Sequence, residues 1–301
     1  MKHARDVVAG IEMVFFIPAA LLSIFICARH GFRRSSGWIY TLILCIFRIA
    51  GAVCQFLSHS DHSSGLIQTT IIIDSIGLSP LLLATLGMLS RLVDFINAKS
   101  SPRFTVRHFR LLQLLISIGL ILGVAGGTSS KAQPDGTITI SSTSKVGVVL
   151  YIVAYVCIVL VYCASIGRVS GVPRKERRVS LAIVLALPFI LVRLIYSACA
   201  VFLHSHLFNI VTGNVVVLVV MATLEEFVVV AIYIALGFFV DKLDPVSLGP
   251  IAGRAWKNKN NNRRGRGHSR GFAAQAARPQ ASDIEYGVAP PSSAQYQGVT
   301  R

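Results

Sequence analysis

The chain has 301 residues, of which 53% are hydrophobic and only 14% charged, with a formal net charge of +16 and a mean hydropathy of +0.66. An ordinary soluble domain is nearer 45–50% apolar and about 25% charged, and most apolar blocks of this chain have no polar face at helical spacing, which excludes a soluble helical domain. The cations lie in connections and in the tail, so the expected partner is the lipid bilayer, with anionic lipids at the cytoplasmic face, and no nucleic acid is expected.

The apolar residues form seven blocks of near-membrane length. The fold class this predicts is all-α: a polytopic membrane helix bundle of seven transmembrane helices over residues 1–244. The first span, about 7–28, carries Glu12 and Pro18. A basic connection (RHGFRRSS) leads to the second, 37–57, with Arg48 near its centre. The connection SHSDHSSGL has no Lys or Arg, and the third span, 67–90, carries Asp74 and Pro80. After a basic stretch, 91–110, comes the short fourth span, 111–127, with Gly119, Gly123 and Gly127 on one face. Small residues at that spacing let two helices approach closely, and internal packing is expected ahead of a dimer seam. The linker at 128–145 is polar and turn-rich, and its TITIS stretch can form a small hairpin strand. The fifth span is 146–166; the basic GRVSGVPRKERRVS follows; the sixth is 181–203, with Pro188 and Arg193.

The seventh span, 215–240, is the least comfortable in lipid. It reads VVVLVVMATLEEFVVVAIYIALGFFV, with Glu225 and Glu226 side by side near its middle. Its seventeen Val, Leu, Ile and Phe residues return about 7 kcal/mol on an insertion scale, against roughly 5–7 kcal/mol for two ionised acids at the helix centre. The helix inserts with little margin, so the acids are expected to turn inward, take a proton or meet a cation.

Lys and Arg counts orient the bundle. The connections after spans one, three and five hold three, five and five; those after two, four and six hold none, two and none; the tail past Val240 holds ten. The positive-inside rule then predicts the N-terminus outside and the C-terminus in the cytoplasm. Residues 245–301 have no apolar period and are rich in Gly, Asn, Ser and Arg, which predicts a disordered basic cytoplasmic tail. Its cations Arg263, Arg264, Arg266 and Arg270 are placed to meet anionic lipid.

At 1.5 Å per residue, Arg48, Arg193, Glu225 and Glu226 all fall near the midplane, while Asp74 and Glu12 lie about 10 and 8 Å from the outer face. Ionisable groups inside a membrane face a bundle interior or a wet cavity. Arg48 and Arg193 are therefore expected to pair with Glu225, Glu226 or Asp74, forming a candidate transport or ligand site with Glu12 as a secondary member. The same pairs also serve a reading in which they only set helix register. Two outward connections hold His59, His62, His204 and His206, a metal candidate weighed against ordinary solvated histidines. No P-loop, nucleophile elbow or inward histidine set is present, so neither an enzyme nor a cofactor is expected. Spacing of Arg33-Arg34, Arg48 and Cys54 in span two resembles that of Arg177-Arg178, Arg193 and Cys199 in span six. This is the pattern of a 3+1+3 parallel repeat, although positive-inside chemistry also supplies double arginines at such positions.

At RHGFRRSSGW (Arg29–Trp38), Arg48-Ile49, Gly51 and LPFILVRLIY (Leu187–Tyr196), the chain resembles fungal seven-span integral membrane proteins carrying a domain of unknown function (DUF7702-like). That resemblance implies a seven-span fold and no stated activity. A more distant likeness, at Arg193-Leu194-Ile195-Tyr196, is to fungal lipid-translocating exporters. Class A receptors share the span number, but span three here ends Ser90-Arg91-Leu92 and span seven lacks an Asn-Pro-x-x-Tyr ending. The leading expectation is a carrier or exporter of a small or amphipathic molecule. The alternatives are a seven-span sensor recruiting cytoplasmic partners and a non-catalytic scaffold, and the sequence does not distinguish the plasma membrane from an endomembrane.

Overall fold

The computed structural model describes residues 2–31, 36–60, 69, 72–73, 76–99, 104–129, 131–132, 138–139, 141–171, 173–203, 215–240 and 251–252. Among them are seven helices long and apolar enough to cross a membrane: α1 (Lys2–His30), α2 (Ser36–Ser60), α3 (Leu78–Lys99), α4 (Val106–Ser129), α5 (Ser142–Ile166), α6 (Arg174–Phe202) and α7 (Val215–Phe239). The chain is a multi-pass membrane protein. In the α4–α5 linker, Lys131–Ala132 pairs antiparallel with Ile138–Thr139, Lys131 opposite Thr139, which is the small hairpin strand expected there.

The third helix runs further than the expected span of 67–90: α3 continues through Arg91 and Asp94 to Lys99, while of residues 67–77 only 69, 72–73, 76 and 77 are among the described residues. Pro80 sits in its first turn, where a missing N–H costs nothing. Arg91 and Asp94 ended the apolar window in the sequence, but both are buried and partnered in the bundle. Partners on other segments decide where a helix can stay buried, and a hydropathy window contains no such term.

α3 is also the centre of the molecule. Every residue from Gly77 to Asp94 is buried, and the helix packs against α2, α4, α5 and α6. Helices α1 and α2, α4 and α5, α5 and α6, and α6 and α7 are the other closely packed neighbours, with α7 returning to α1. An all-round apolar sequence suits a helix enclosed by others. The outer helices are instead two-faced. On α4, Leu111, Leu114, Ile118 and Ile121 are exposed while Leu112, Ile116, Gly119 and Gly123 are buried. The outward face carries only large apolar residues, while the inward face mixes them with glycines, the pattern of a helix between lipid and protein.

The α4 glycines pack internally. An ideal Cβ on Gly119 would lie 2.9 Å from the Tyr151 ring of α5, and one on Gly147 would lie 3.0 Å from the Gly119 carbonyl oxygen. Glycine is what allows these two backbones to touch.

One end of the bundle, where α1, α3, α5 and α7 finish and α2 and α6 begin, is tied together by polar contacts. The last carbonyls of α7 have no partner within their own helix, and neighbours supply donors. His30 Nε2 donates to Gly237 O at 3.0 Å, Arg29 Nη1 to Phe238 O at 3.3 Å, and Arg178 Nη1 to Phe239 O at 3.5 Å. Trp38 Nε1 donates to Tyr233 O at 2.9 Å, its ring stacked on His30 at 4.5 Å. Ile251 and Ala252 lie in the stretch expected to be a disordered tail, yet both are buried, because two donors of their backbone meet Asp94. The rest of that tail, with Arg263, Arg264, Arg266 and Arg270, lies outside the described residues.

A charged centre at half depth

Glu226 is the hub of the candidate site. It lies near the middle of α7 and its side chain is fully buried. Arg48 of α2 donates through Nε to Oε2 and through Nη2 to Oε1 of this carboxylate. Arg193 of α6 donates through Nε to Oε1 at 2.9 Å. The three charges come from three helices, so the carboxylate ties α2, α6 and α7 together. Arg193 also donates through Nη1 to Ser197 Oγ at 3.0 Å, one turn along its own helix, and its guanidinium lies 5.5 Å from the Tyr196 ring centroid. Both Arg48 and Arg193 have further contacts.

Backbone approaches this centre at one glycine. A Cβ on Gly77, just before α3, would lie 3.2 Å from both Arg48 Nη2 and Glu226 Oε1. The turn into α3 therefore lies directly against the ion pair, and a larger residue would press on atoms that the pair holds in place.

The two adjacent glutamates divide as their helical offset of about 100° requires. Glu226 takes both arginines. Glu225 is buried but joins neither, and its Oε2 finds no hydrogen-bond partner among the described residues. Glu12 enters through a different contact: Thr223 Oγ1 donates to its Oε1 at 3.0 Å. Thr223 ends a π-helical turn, Val219–Thr223, that interrupts α7 just before the two acids. Such turns add a residue to the helix and re-aim the side chains around them, frequently at functional sites. Phe227, one turn on, stacks on Phe15 of α1 at 4.1 Å, so α1 meets α7 through a face distinct from that of the arginines.

Asp74 lies outside the described residues. So do His62, His204 and His206, and the side chain of His59, a residue within α2, is not described either. Among the described residues no group of three or more His, Cys, Asp or Glu side chains could hold a metal ion.

Sequence reasoning missed a second buried ion pair. Arg91 of α3 donates through Nε to Glu176 Oε2 at 2.9 Å and through Nη2 to Oε1 at 2.5 Å. In the sequence Arg91 looked like the start of a connection, and Glu176 was hidden in the basic run RKERR. The one available signal was that Glu176 is the lone acid of its run, and an acid in the first turn of a helix is favoured there. Two smaller links were also missed. Tyr233 OH meets Thr85 Oγ1 at 2.6 Å between α7 and α3, and Arg91 lies 5.6 Å from the Trp38 ring centroid.

The family described as "Domain of unknown function (DUF7702)" matches residues 3–243, which covers all seven helices. No protein of curated function matches the chain.

Proposed function

The chain belongs to the DUF7702 family, whose description assigns no activity, and on that premise we propose that this multi-pass membrane protein is a carrier or exporter of a small or amphipathic molecule. The observation that carries the reading is Glu226, a fully buried carboxylate at half depth held by arginines from two other helices. Burying three charges in a membrane interior costs several kcal/mol per ion before pairing returns it. A bundle that needed only cohesion would be served as well by apolar packing. Charge kept at the midplane, where substrate sites of secondary carriers lie, is explained by a molecule or proton that must be met there. Glu225, beside the cluster with an unpartnered oxygen, is the group free to take up and give back a proton. The protein makes and breaks no covalent bond in this reading.

The positive-inside rule places the N-terminus outside and the end carrying His30, Arg91 and Phe239 in the cytoplasm. Exposed Arg107, Arg110, Arg177 and Arg178 would there meet anionic lipid headgroups. Convergence of Arg48 and Arg193 on one carboxylate is also what a repeat relating α2 to α6 would produce.

The test is made with the full chain in liposomes, using short-chain fluorescent phospholipids and a series of small organic acids and amines, with internal pH read by a trapped dye. At least one probe should move faster than in empty liposomes, and Glu226→Gln should abolish that movement while the protein remains folded. Movement unaffected by Glu226→Gln would refute the assigned site.

A sensor reading is favoured by one contact. Asp94 of the central helix holds Ile251 and Ala252, twelve and thirteen residues beyond the end of α7, so a shift of α3 would reach the chain that continues into the cytoplasm. It predicts that removing residues 258–301 abolishes signalling and leaves ligand binding intact.

A further inference from the structure

We propose that α3 carries a clasp that shuts the inner end of the bundle beneath Glu226, Arg91 holding Glu176 of α6 and Asp94 holding the backbone at Ile251–Ala252. The inference rests on the carrier reading for its purpose, because a midplane site reached from each side in turn needs one side closed while the other is open.

The two halves of the clasp are adjacent. Arg91 and Asp94 are three residues apart on α3, neighbours on one helix face about 4.5 Å apart along the axis. Arg91 grips Glu176 with two parallel N–H bonds, 2.9 and 2.5 Å, the fork geometry that makes arginine–carboxylate pairs strong and directional. Asp94 accepts at each oxygen, from Ile251 N at 3.1 Å and Ala252 N at 2.5 Å. Two successive backbone N–H groups on one anion hold a chain segment without needing a particular side chain. Arg91, Asp94, Glu176, Ile251 and Ala252 are all buried. Trp38 lies beneath Arg91 and against His30, which reaches the end of α7. One point of the structure thus gathers α1, α2, α3, α6, α7 and the chain that follows.

The chemistry of this closure is that of something made to open. A buried ion pair is no more cohesive than apolar side chains of the same volume, so permanent closure would not need Arg91, Glu176 and Asp94. Polar groups exchange their partners for water when an end opens, whereas a bare apolar plug would lose its contacts without replacement. Gly77, which lies against Glu226, is fourteen residues before Arg91 in the chain, about 21 Å along the axis of α3. The clasp therefore stands well apart from the charged centre.

Cys45 is the reporter already in the chain. It lies on α2 three residues toward the clasp from Arg48 and is fully buried. The full-length protein is reconstituted and treated with membrane-impermeant 2-(trimethylammonium)ethyl methanethiosulfonate on the inner or the outer face, and labelling of Cys45 is followed by peptide mass spectrometry. Asp94→Asn and Glu176→Gln should each raise inner-face labelling about tenfold, the effect of losing one charge-assisted hydrogen bond. The exchange Arg91→Glu with Glu176→Arg should return it toward the wild-type rate. Unchanged labelling in both single variants overturns the clasp, as does an exchanged pair as reactive as Glu176→Gln. Labelling that rises equally from both faces marks general loosening and also overturns it. Opening of Cys45 in these variants, in a protein that moves none of the liposome probes, supports the clasp and counts against the carrier reading alone.

Discussion

Glu226→Gln is the substitution that bears most directly on the charged centre. The amide keeps the shape of the side chain but removes the charge that balances two buried guanidiniums, and one of its two polar atoms can no longer accept. Arg48 makes two bonds to this carboxylate and Arg193 makes one. Removing one partner of a buried ion pair costs about 3–5 kcal/mol, because the remaining charge stays buried without compensation. The same magnitude is expected here, read as a shift in the unfolding midpoint of purified protein titrated with denaturing detergent. The companion is a triple replacement, Arg48→Met, Arg193→Met and Glu226→Leu. It removes all three charges at similar volume and should recover at least half of the loss. A change below about 1 kcal/mol for Glu226→Gln would refute the reasoning, since only a water-exposed pair is worth so little. The triple variant also separates function from cohesion. A folded triple variant without activity supports a working site, and one with full activity supports a scaffold in which the charges only hold helices in register.

Three glycine substitutions probe packing at the site, at an open position and between two helices. Gly77→Ala places a Cβ 3.2 Å from Arg48 Nη2 and Glu226 Oε1, atoms the pair holds in position, and should destabilise by about 1–2 kcal/mol. Gly167→Ala, with nothing within 4 Å of its Cβ, should stay within about 0.5 kcal/mol in the same detergent titration. Gly119→Ala drives a Cβ to 2.9 Å from the Tyr151 ring and should cost about 1–3 kcal/mol by forcing α4 from α5, seen as weaker cross-linking between cysteines placed on those helices.

Much of the architecture was legible before any coordinates. Seven apolar blocks became seven helices, the α4 glycines proved to be an internal seam, and Arg48, Arg193 and Glu226 came together as expected. The misreadings share one cause. Arg91 and Asp94 ended a hydropathy window, Glu176 disappeared into a basic run, and residues 251–252 looked like the beginning of a disordered tail. Each of these is buried because of a partner far along the chain: Glu176 is 85 residues from Arg91, and Ala252 is 158 from Asp94. Glu225 was drawn into the cluster because adjacent residues look equivalent in a sequence, whereas on a helix they point apart.

The amino-acid order by itself determined that this chain lies in a bilayer in seven passes and that the charges at half depth require partners. Lipid offers no hydrogen bonds, so a spanning apolar block of about 20 residues must be a helix with an apolar outer face, and that requirement is met locally, residue by residue. Tertiary structure alone decided that one carboxylate, Glu226, receives both arginines and that α3 is enclosed by its neighbours. It also decided that this central helix grips α6 and the chain beyond α7. Those outcomes depend on how each helix is rotated against the others, a quantity set by packing across the whole bundle and written at no single position.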